Sequence, residues 1–186
     1  MNTVMRFGLI GLGVAALLAC SKPASLDVGE NGIGPISIAT AFTVEAVAQL
    51  LPNKNVVTVV SDNLQPGEHV IRVSDDDRAL FELYPSRDGK QVESALILDM
   101  SLKDKNGVHI GSTFAEALPK GDTSKCGMGQ GLKAGRLYCP QAGSTHVFYE
   151  LQNSLPPKGD AIPDANELKT WTVTAMLWDG SKPPAP

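Results

Sequence analysis

Short runs of β-branched and alternating apolar residues fill the middle of the chain and predict strands. Val56–Val60 reads V-V-T-V-V, His69–Val73 reads H-V-I-R-V, and Ala79–Tyr84 reads A-L-F-E-L-Y. Each run is short and bounded by turn residues, as half-buried strands are. Asp88-Gly89 then supplies a hairpin turn before a further strand over Gln91–Met100. This part of the chain therefore predicts an antiparallel meander.

Two segments with helical signals interrupt the strands, at about Thr43–Leu51 and Thr113–Leu118. The second begins T-F-A-E, in which Thr113 can accept from an early helix amide and Glu116 can reach back to the cap. A proline follows each segment directly. We therefore predict two short helices that end at comparable places.

The stretches that lead into these helices resemble each other. Ile36–Phe42 reads I-S-I-A-T-A-F and Val108–Phe114 reads V-H-I-G-S-T-F. One interpretation is a weak internal repeat, in which two strand-to-helix corners place Phe42 and Phe114 in similar core environments. The alternative is a coincidence between two generic turns, since Asn106-Gly107 before the second stretch is an ordinary turn signal.

The C-terminal part adds three more strand signals, at Gly135–Cys139, His146–Leu151 and Thr170–Trp178. Trp171 and Trp178 would lie on opposite faces of a regular strand unless a bulge intervenes, because side chains alternate along a strand. We expect one tryptophan in the core and the other exposed enough to bind something. The predicted fold is mainly β: an antiparallel sandwich-like or partly open barrel-like sheet with two short helices.

The first twenty residues carry a different pattern, that of an export signal. Arg6 precedes the apolar run Phe7–Ala19, which is too short to span a bilayer and typical of a secretory h-region. The run ends Leu17-Leu18-Ala19-Cys20, the pattern of a bacterial lipobox. Residues 1–19 are thus predicted to be cleaved and Cys20 to carry the lipid. The alternative is an ordinary signal peptide with an accidental cysteine.

The residues after the cysteine bear on location and on domain organisation. Position 21 is serine rather than the aspartate that usually retains lipoproteins in the inner membrane, so we predict an outer-membrane anchor facing the periplasm. Residues 20–31 are rich in small and polar side chains and predict a short tether. Residues 32–178 suit one β-rich domain. The tail, residues 179–186, reads D-G-S-K-P-P-A-P and is expected to fray.

Charge excludes one class of partner. The formal net charge is -4 and the pI about 5.3, so we expect no nucleic acid binding. The expected partners are the membrane, through the lipid anchor, and an envelope protein or ligand that the sequence does not identify.

A glycine-rich segment with a cysteine at each end, C-G-M-G-Q-G-L-K-A-G-R-L-Y-C from Cys126 to Cys139, raises several chemical alternatives. A phosphate-binding loop would need Gly-Lys-Ser/Thr at a helix start, which is missing here. A zinc site would need more ligands at short spacing, and the twelve intervening residues exclude a C-x-x-C redox pair. In an oxidising compartment, a disulfide between the two cysteines is the simplest interpretation. Lys133 and Arg136 on this loop face either an anionic partner or solvent, and we favour solvent.

The sequence shows no catalytic constellation. His69, His109 and His146 lie within or beside strand signals, and none stands next to a recognisable nucleophile motif. We therefore expect solvated or hydrogen-bonded structural histidines, no catalytic residues, no metal site and no cofactor.

Several of these features together resemble the RpoE-regulated lipoprotein family, which consists of envelope proteins with a domain of unknown function. The similarity lies in G-I-G-P-I at Gly32–Ile36, in G-V-H-I-G-S-T-F at Gly107–Phe114, and in the pair Cys126 and Cys139. The most specific part is P-D-A-N-E-L-K-T-W-T-V-T-A-M-L-W at Pro163–Trp178. The resemblance implies a mainly β domain, an acylated cysteine, a disulfide and a link to the envelope stress response. It implies no catalytic residues.

The leading hypothesis is a non-enzymatic lipoprotein, anchored in the outer membrane, that supports envelope integrity or the stress response through binding. The alternative is a small-molecule or lipid-binding periplasmic module with a cleft between sheet and helices near Phe42 and Phe114. A hydrolase is a distant third hypothesis, and it would need a histidine within reach of a serine and a carboxylate in a concave site.

Overall fold

The structure, a computed structural model, describes residues 25–63, 67–154 and 161–181. These residues form ten strands, three short α-helices and one 3₁₀ turn. The predicted signal peptide and Cys20 lie outside them. The strands are β1 (Val28–Gly29), β2 (Gly32–Ile33), β3 (Asn55–Ser61), β4 (Glu68–Asp75), β5 (Arg78–Pro85), β6 (Val92–Ile97), β7 (Gly127–Met128), β8 (Leu137–Pro140), β9 (Val147–Gln152) and β10 (Thr172–Asp179). The helices are α1 (Val44–Leu50), α2 (Phe114–Ala117) and α3 (Ala165–Leu168), and the 3₁₀ turn is Gly131–Lys133.

Eight of the strands form one antiparallel sheet in the order β3-β4-β5-β6-β10-β9-β8-β7, and β1 and β2 form a separate two-stranded sheet. The large sheet does not close on itself, because β3 and β7 are not paired with each other. The predicted mainly β, sandwich-like class is confirmed, with an open sheet rather than a barrel. The turn predicted at Asp88-Gly89 connects β5 to β6, and Gly89 has the positive φ of 72° that a glycine tolerates.

The main core lies on one face of the large sheet, and both halves of the chain contribute to it. The β1–β2 hairpin, the helices and their loops cover this face with side chains such as Val28, Val47 and Phe114. A smaller cluster of Val70, Tyr84 and Leu96 belongs to the other face, because side chains alternate along each strand. The sheet therefore carries buried side chains on both faces.

The predicted strands directly before α1 and α2 are absent from the described residues, but hydrogen bonds at the two corners, the turns that lead into these helices, support the internal repeat. The amide of Phe42 donates to Lys90 O at 2.9 Å, just before β6, and the amide of Phe114 donates to Trp171 O at 2.9 Å, just before β10. After each corner the chain forms a helix and then four strands. The last of these is one of the two central strands of the large sheet, β6 in the first half and β10 in the second. The strand order is symmetric about the β6–β10 pair, in which Leu96 lies opposite Leu177. The two halves are thus related by an approximate two-fold axis through this pair.

The expectation that one tryptophan is exposed is wrong. Trp171 is 0% exposed and Trp178 is 1% exposed. The pairing of β10 with β9 shifts register between Val173 and Ala175, which is the irregularity expected of a β-bulge. The bulge adds a residue and changes the alternation, so both indole rings enter the interior.

Both predicted boundaries of the domain need correction. Val28 is fully buried and bridges to Asp104, so the segment predicted as a tether already contains core residues. At the other end, β10 runs to Asp179 and the amide of Gly180 donates to Glu93 O at 2.8 Å. The ordered domain is therefore longer at both ends than residues 32–178.

One helix, α3, was not predicted from the sequence. Asp164 begins it by accepting hydrogen bonds from the amides of Asn166 at 2.8 Å and Glu167 at 3.0 Å. The helix has only four residues and one buried side chain, Leu168. Four residues are too few for a helical period to appear in the sequence.

Candidate functional site

The described residues form an open cleft of about 1200 Å³. Segments that are far apart in the chain line it: Glu30 at the β1–β2 turn, Asn106, residues between 116 and 125 at the end of α2, the β8–β9 connection at residues 140–145, and Phe148 of β9. Its volume exceeds the roughly 300–1000 Å³ usual for small-molecule sites. The cleft therefore has room for a ligand of that size class.

The lining combines an apolar floor with charged edges. Ala117, Leu118 and Phe148 contribute apolar surface, and Ala117 and Leu118 are 3% and 8% exposed. Around them stand three carboxylates and two ammonium groups, from Glu30, Glu116, Asp122, Lys120 and Lys125. An amphipathic ligand fits such a surface, because the floor favours apolar groups and the edges offer polar contacts.

The α2 wall is fixed by the capping box that the sequence predicted. The side chain of Thr113 accepts from the amide of Glu116 at 3.3 Å, and the carboxylate of Glu116 accepts from the amide of Thr113 at 2.7 Å. These bonds satisfy early amides of the helix and hold Glu116 at its first turn. They lower the pKa of the Glu116 carboxyl group, so this edge of the cleft carries a negative charge at neutral pH.

The opposite wall is held by Glu30. Its carboxylate accepts hydrogen bonds from Ser144 Oγ and, at 3.2 and 3.1 Å, from the amide and the hydroxyl of Thr145. Burial opposes ionisation, but these bonds and the neighbouring His146 outweigh it, so the pKa of Glu30 lies below its ordinary value. The indole Nε1 of Trp178 donates to the carbonyl of Glu30 at 3.3 Å. The hairpin turn is thereby fastened to the β8–β9 connection.

A buried polar cluster lies behind this wall. The carboxylate of Asp104, 4% exposed, accepts hydrogen bonds from Gln141 Nε2 and Tyr149 OH, and its other oxygen accepts from the amides of Asn106 at 2.8 Å and Val108 at 2.9 Å. Burial and the bond to Asp104 raise the pKa of Tyr149, which keeps the phenol protonated and donating.

Gln141 connects this cluster to the cleft. The residue lines the cleft, is 2% exposed, and uses its Nε2 to donate to Asp104. Its Oε1 has no hydrogen-bond partner among the described residues. A buried acceptor without a partner costs free energy of about 1–3 kcal/mol. The oxygen is itself buried, so this cost belongs to the polar cluster and not to the surface of the cleft.

The cleft edge also brings a serine, a carboxylate and a histidine together, but not in a catalytic order. Ser144 Oγ donates to Glu30 and accepts from the backbone amide of Val147 at 2.9 Å. The Nε2 of His146 lies 3.8 Å from Glu30 Oε1, and its Nδ1 bonds to Asp179 O at 2.7 Å. A triad needs the histidine between the nucleophile and the acid, whereas here the carboxylate stands between serine and histidine. This arrangement orients the β8–β9 connection and differs from the order of a triad.

The predicted cleft position was wrong in detail. Phe114 is 5% exposed and Phe42 packs against the main core, and neither residue lines the cleft. The cleft lies further along, where α2 ends. Sequence reasoning missed Glu30 and Gln141 altogether, because Glu30 had been placed in a tether and nothing near Gln141 marks a binding site.

The glycine-rich segment forms the predicted disulfide, with 2.03 Å between the sulfur atoms of Cys126 and Cys139. The expectation that Arg136 faces solvent is wrong. Its Nη1 lies 3.1 Å from both carboxylate oxygens of Glu150, a residue of β9. Lys133 Nζ stands 5.8 Å from the centre of the Tyr138 ring, and partial burial lowers the pKa of this lysine. Both cations thus have partners within the domain.

Two of the three histidines are hydrogen-bonded, as predicted. The Nδ1 of His109 bonds to Ile110 O at 2.8 Å, and His146 has the contacts given above. His69 is exposed on β4. Over residues 25–63, 67–154 and 161–181, no group of three histidine, cysteine or acidic residues is arranged to hold a metal ion. The same residues contain no helix of the length and apolarity that crossing a bilayer requires.

The fold and the cleft define a mainly β domain of two related halves, with a ligand-sized cleft between the β1–β2 turn, the end of α2 and the β8–β9 connection. By sequence, the chain belongs to the family described as protein of unknown function DUF1131, whose model matches residues 20–180. A search of curated proteins finds no match.

A solved structure is similar to this one. It is the crystal structure of the uncharacterized protein yfeY from Escherichia coli, with a TM-score of 0.63 and 22% sequence identity. The match covers 82% of this chain and 99% of that chain. At this identity the likeness concerns the fold alone.

Proposed function

We propose that the protein is a non-enzymatic lipoprotein, anchored in the bacterial outer membrane, whose periplasmic domain holds an envelope ligand in the cleft. The cleft carries this proposal: it has ample volume, an apolar floor and charged edges. The sequence analysis gives a small-molecule or lipid-binding module as the alternative. In this proposal, such binding is the activity of the anchored protein.

The anchor is supported by the lipobox at Leu17–Cys20. Acyl chains contribute about 0.8 kcal/mol per buried methylene, and stable attachment needs more than one membrane signal. A lipidated Cys20 would keep the cleft near the membrane surface, where amphipathic molecules are concentrated. A link to envelope stress belongs to the same proposal and rests on the family resemblance.

Ligand chemistry follows from the lining. The floor at Ala117, Leu118 and Phe148 suits a short apolar segment, and the charged edges suit polar groups beside it. Carboxylates and ammonium groups alternate at the edges, so the cleft does not select for one sign of charge. We propose an uncharged or zwitterionic amphipathic molecule.

The anchor is tested by replacing Cys20 with alanine in the full chain. We expect the wild-type protein to incorporate labelled palmitate and to sediment with the outer membrane, and the Cys20→Ala variant to do neither. A wild-type protein that is released by salt or that sediments with the inner membrane would contradict the proposed location.

Binding is tested by purifying the full chain from membranes and identifying copurifying small molecules by mass spectrometry. Ala142 is exposed and lines the cleft, so Ala142→Trp should fill the cleft without disturbing the core. Ala39 is exposed and does not line the cleft, and Ala39→Trp is the matched control. We expect a bound amphipathic molecule in the wild type and the control, and its loss in Ala142→Trp. Equal recovery of the bound molecule from all three proteins would rule out the cleft as its binding site.

The non-enzymatic part is tested with a panel of esters, peptides and glycans. We expect no turnover above background. Turnover that disappears in a Ser144→Ala variant would assign a hydrolase in spite of the order of Ser144, Glu30 and His146.

A further inference from the structure

The two edges of the large sheet differ in how they are protected. One edge is β7, which has two residues and adjoins the disulfide at Cys126. The other edge is β3, which has seven residues, N-V-V-T-V-V-S, without a charge or a proline. Soluble proteins usually protect edges with short strands, charges or proline, because unpaired backbone groups invite another strand. β7 is protected by its shortness, and β3 has none of these devices.

The outer side of β3 is free of hydrogen-bond partners in the described part of the chain. Its ladder pairs all seven residues with β4 on one side only. Apart from the carbonyl of Ser61, which accepts from the amide of Gly67 at 2.8 Å, no described residue outside β4 bonds to the β3 backbone. Two valines on the strand are also exposed, Val57 at 39% and Val60 at 52%. An apolar strand with one unpaired side is a site for a further strand.

The sequence of β3 is complementary to itself in the antiparallel direction. It reads nearly the same from both ends around Thr58, so two copies pair with Thr58 opposite Thr58. In that register Val57 lies opposite Val59 and Val56 lies opposite Val60. β-branched residues opposite each other stabilise an antiparallel pair. The exposed Val60 of each copy would be covered by Val56 of the other.

The charges beside the strand extend this complementarity. Lys54 and Asp62 flank β3 at equal distances from Thr58, so the same register places Lys54 of each copy opposite Asp62 of the other. Asp62 is exposed, and Lys54 Nζ already lies 2.7 Å from Asp75 Oδ1. The pairing would therefore put each ammonium group between two carboxylates. At neither end of the two paired strands would two like charges lie opposite each other.

We infer that a second copy of this chain occupies the β3 edge, and that the two large sheets join into one continuous antiparallel sheet. The two copies are related by a two-fold axis through Thr58, which makes the interface isologous and closed. Backbone hydrogen bonds supply the attraction, and the matched ends fix the register. This inference does not depend on the cleft, because no residue of β3 lines it.

The register is tested by disulfide trapping of the full chain in its own membrane. Thr58→Cys places two cysteines directly opposite, where Cβ atoms of paired strands stand about 4.5–5.5 Å apart. We expect a covalent dimer on a non-reducing gel. Asn55→Cys is the control, since Asn55 is exposed on the same strand and its two copies would stand about 20 Å apart, six residues along the strand. We expect no cross-link from it.

The oligomeric state is tested on the detergent-solubilised full chain by light scattering. We expect a dimer for the wild type, a monomer for Val60→Lys and a dimer for Ile38→Lys. Ile38 is 51% exposed away from β3, so this control matches Val60 in exposure and in the charge introduced.

Several results would overturn the inference: a monomeric wild type, a dimer that persists in Val60→Lys, equal cross-linking from Thr58→Cys and Asn55→Cys, or capture of a different protein by Thr58→Cys. If Val60→Lys fails to fold, the two cysteine variants still decide the question.

Discussion

Removing the guanidinium group of Arg72 tests how the buried carboxylate of Glu82 is stabilised. Glu82 is 0% exposed and accepts from Arg72 Nη2 at 2.6 Å and Nε at 3.1 Å. It also accepts from Ser61 at 2.8 Å, Asn63 at 3.0 Å and Tyr84 at 2.9 Å. Arg72 is the only cation among these donors. In an Arg72→Met variant, three neutral donors would have to stabilise the buried charge.

The size of the effect follows from burial. Breaking a buried ion pair by removing one partner costs about 3–5 kcal/mol. Here the arginine side chain is 33% exposed and the remaining donors compensate in part. We therefore expect the free energy of unfolding to fall by about 2–3 kcal/mol at pH 7. Methionine retains much of the apolar stem, so the loss concerns charge more than packing.

The assay is urea unfolding with the disulfide intact, followed by tryptophan fluorescence. Trp171 and Trp178 are both buried, so their emission should shift when the domain opens. We expect the midpoint to fall while the slope with urea stays unchanged, because the exposed surface is the same. Arg78→Met is the control, since Arg78 is 55% exposed, its partner Asp75 is 42% exposed and its contact with the less exposed Asp99 is long, at 3.5 Å.

The pH dependence separates charge from packing. Burial opposes ionisation of Glu82, but hydrogen bonds led by Arg72 outweigh it and hold its pKa below the ordinary value. In the wild type, this carboxyl group therefore contributes stability above its unfolded pKa, and the contribution is lost as pH falls through the folded pKa. Without Arg72, burial dominates and the pKa of Glu82 rises. The destabilisation should then shrink between pH 7 and pH 4, as the carboxyl group protonates.

A destabilisation that is the same at both pH values would show that Arg72 acts through packing and would refute this reasoning. So would an Arg72→Met variant that is as stable as the Arg78→Met control at pH 7.

Two further predictions concern the disulfide loop. Replacing Cys126 with serine and Cys139 with alanine should lower the free energy of unfolding by about 3 kcal/mol on the chain-entropy account. A double variant that melts at the temperature of the wild type would contradict this prediction. Gly129→Ala would place a Cβ atom 2.2 Å from Lys133 O and should lower the free energy of unfolding by about 1–3 kcal/mol in a urea titration. Gly127→Ala is the control, because a Cβ atom there meets open space. Equal urea midpoints for the two variants would contradict the close contact at Gly129.

Local signals predicted the elements, and contacts between distant segments decided the site. The alternation around Phe81 was sufficient for a strand, and the Thr113–Glu116 spacing was sufficient for a capping box. By contrast, the buried position of Trp178 follows a bulge that depends on pairing with β9. Arg136, which directly precedes β8, binds a carboxylate fourteen residues away on β9, the strand paired with β8. No local pattern contains such information, because it arises only when the sheet is assembled.

The approximate two-fold symmetry gives a reason to look for function where the two halves differ. Equivalent corners at Phe42 and Phe114 make equivalent hydrogen bonds, so these positions serve the shared fold. The differences are concentrated elsewhere. The second half shortens its edge strand, adds the disulfide and opens the cleft beside Gln141, while the first half keeps the long uncharged edge around Thr58. A repeated unit that retained only its folding role would need neither the cleft nor the unprotected edge. The proposed ligand site and the proposed self-association surface share no residue, so substitutions at one should leave the other intact.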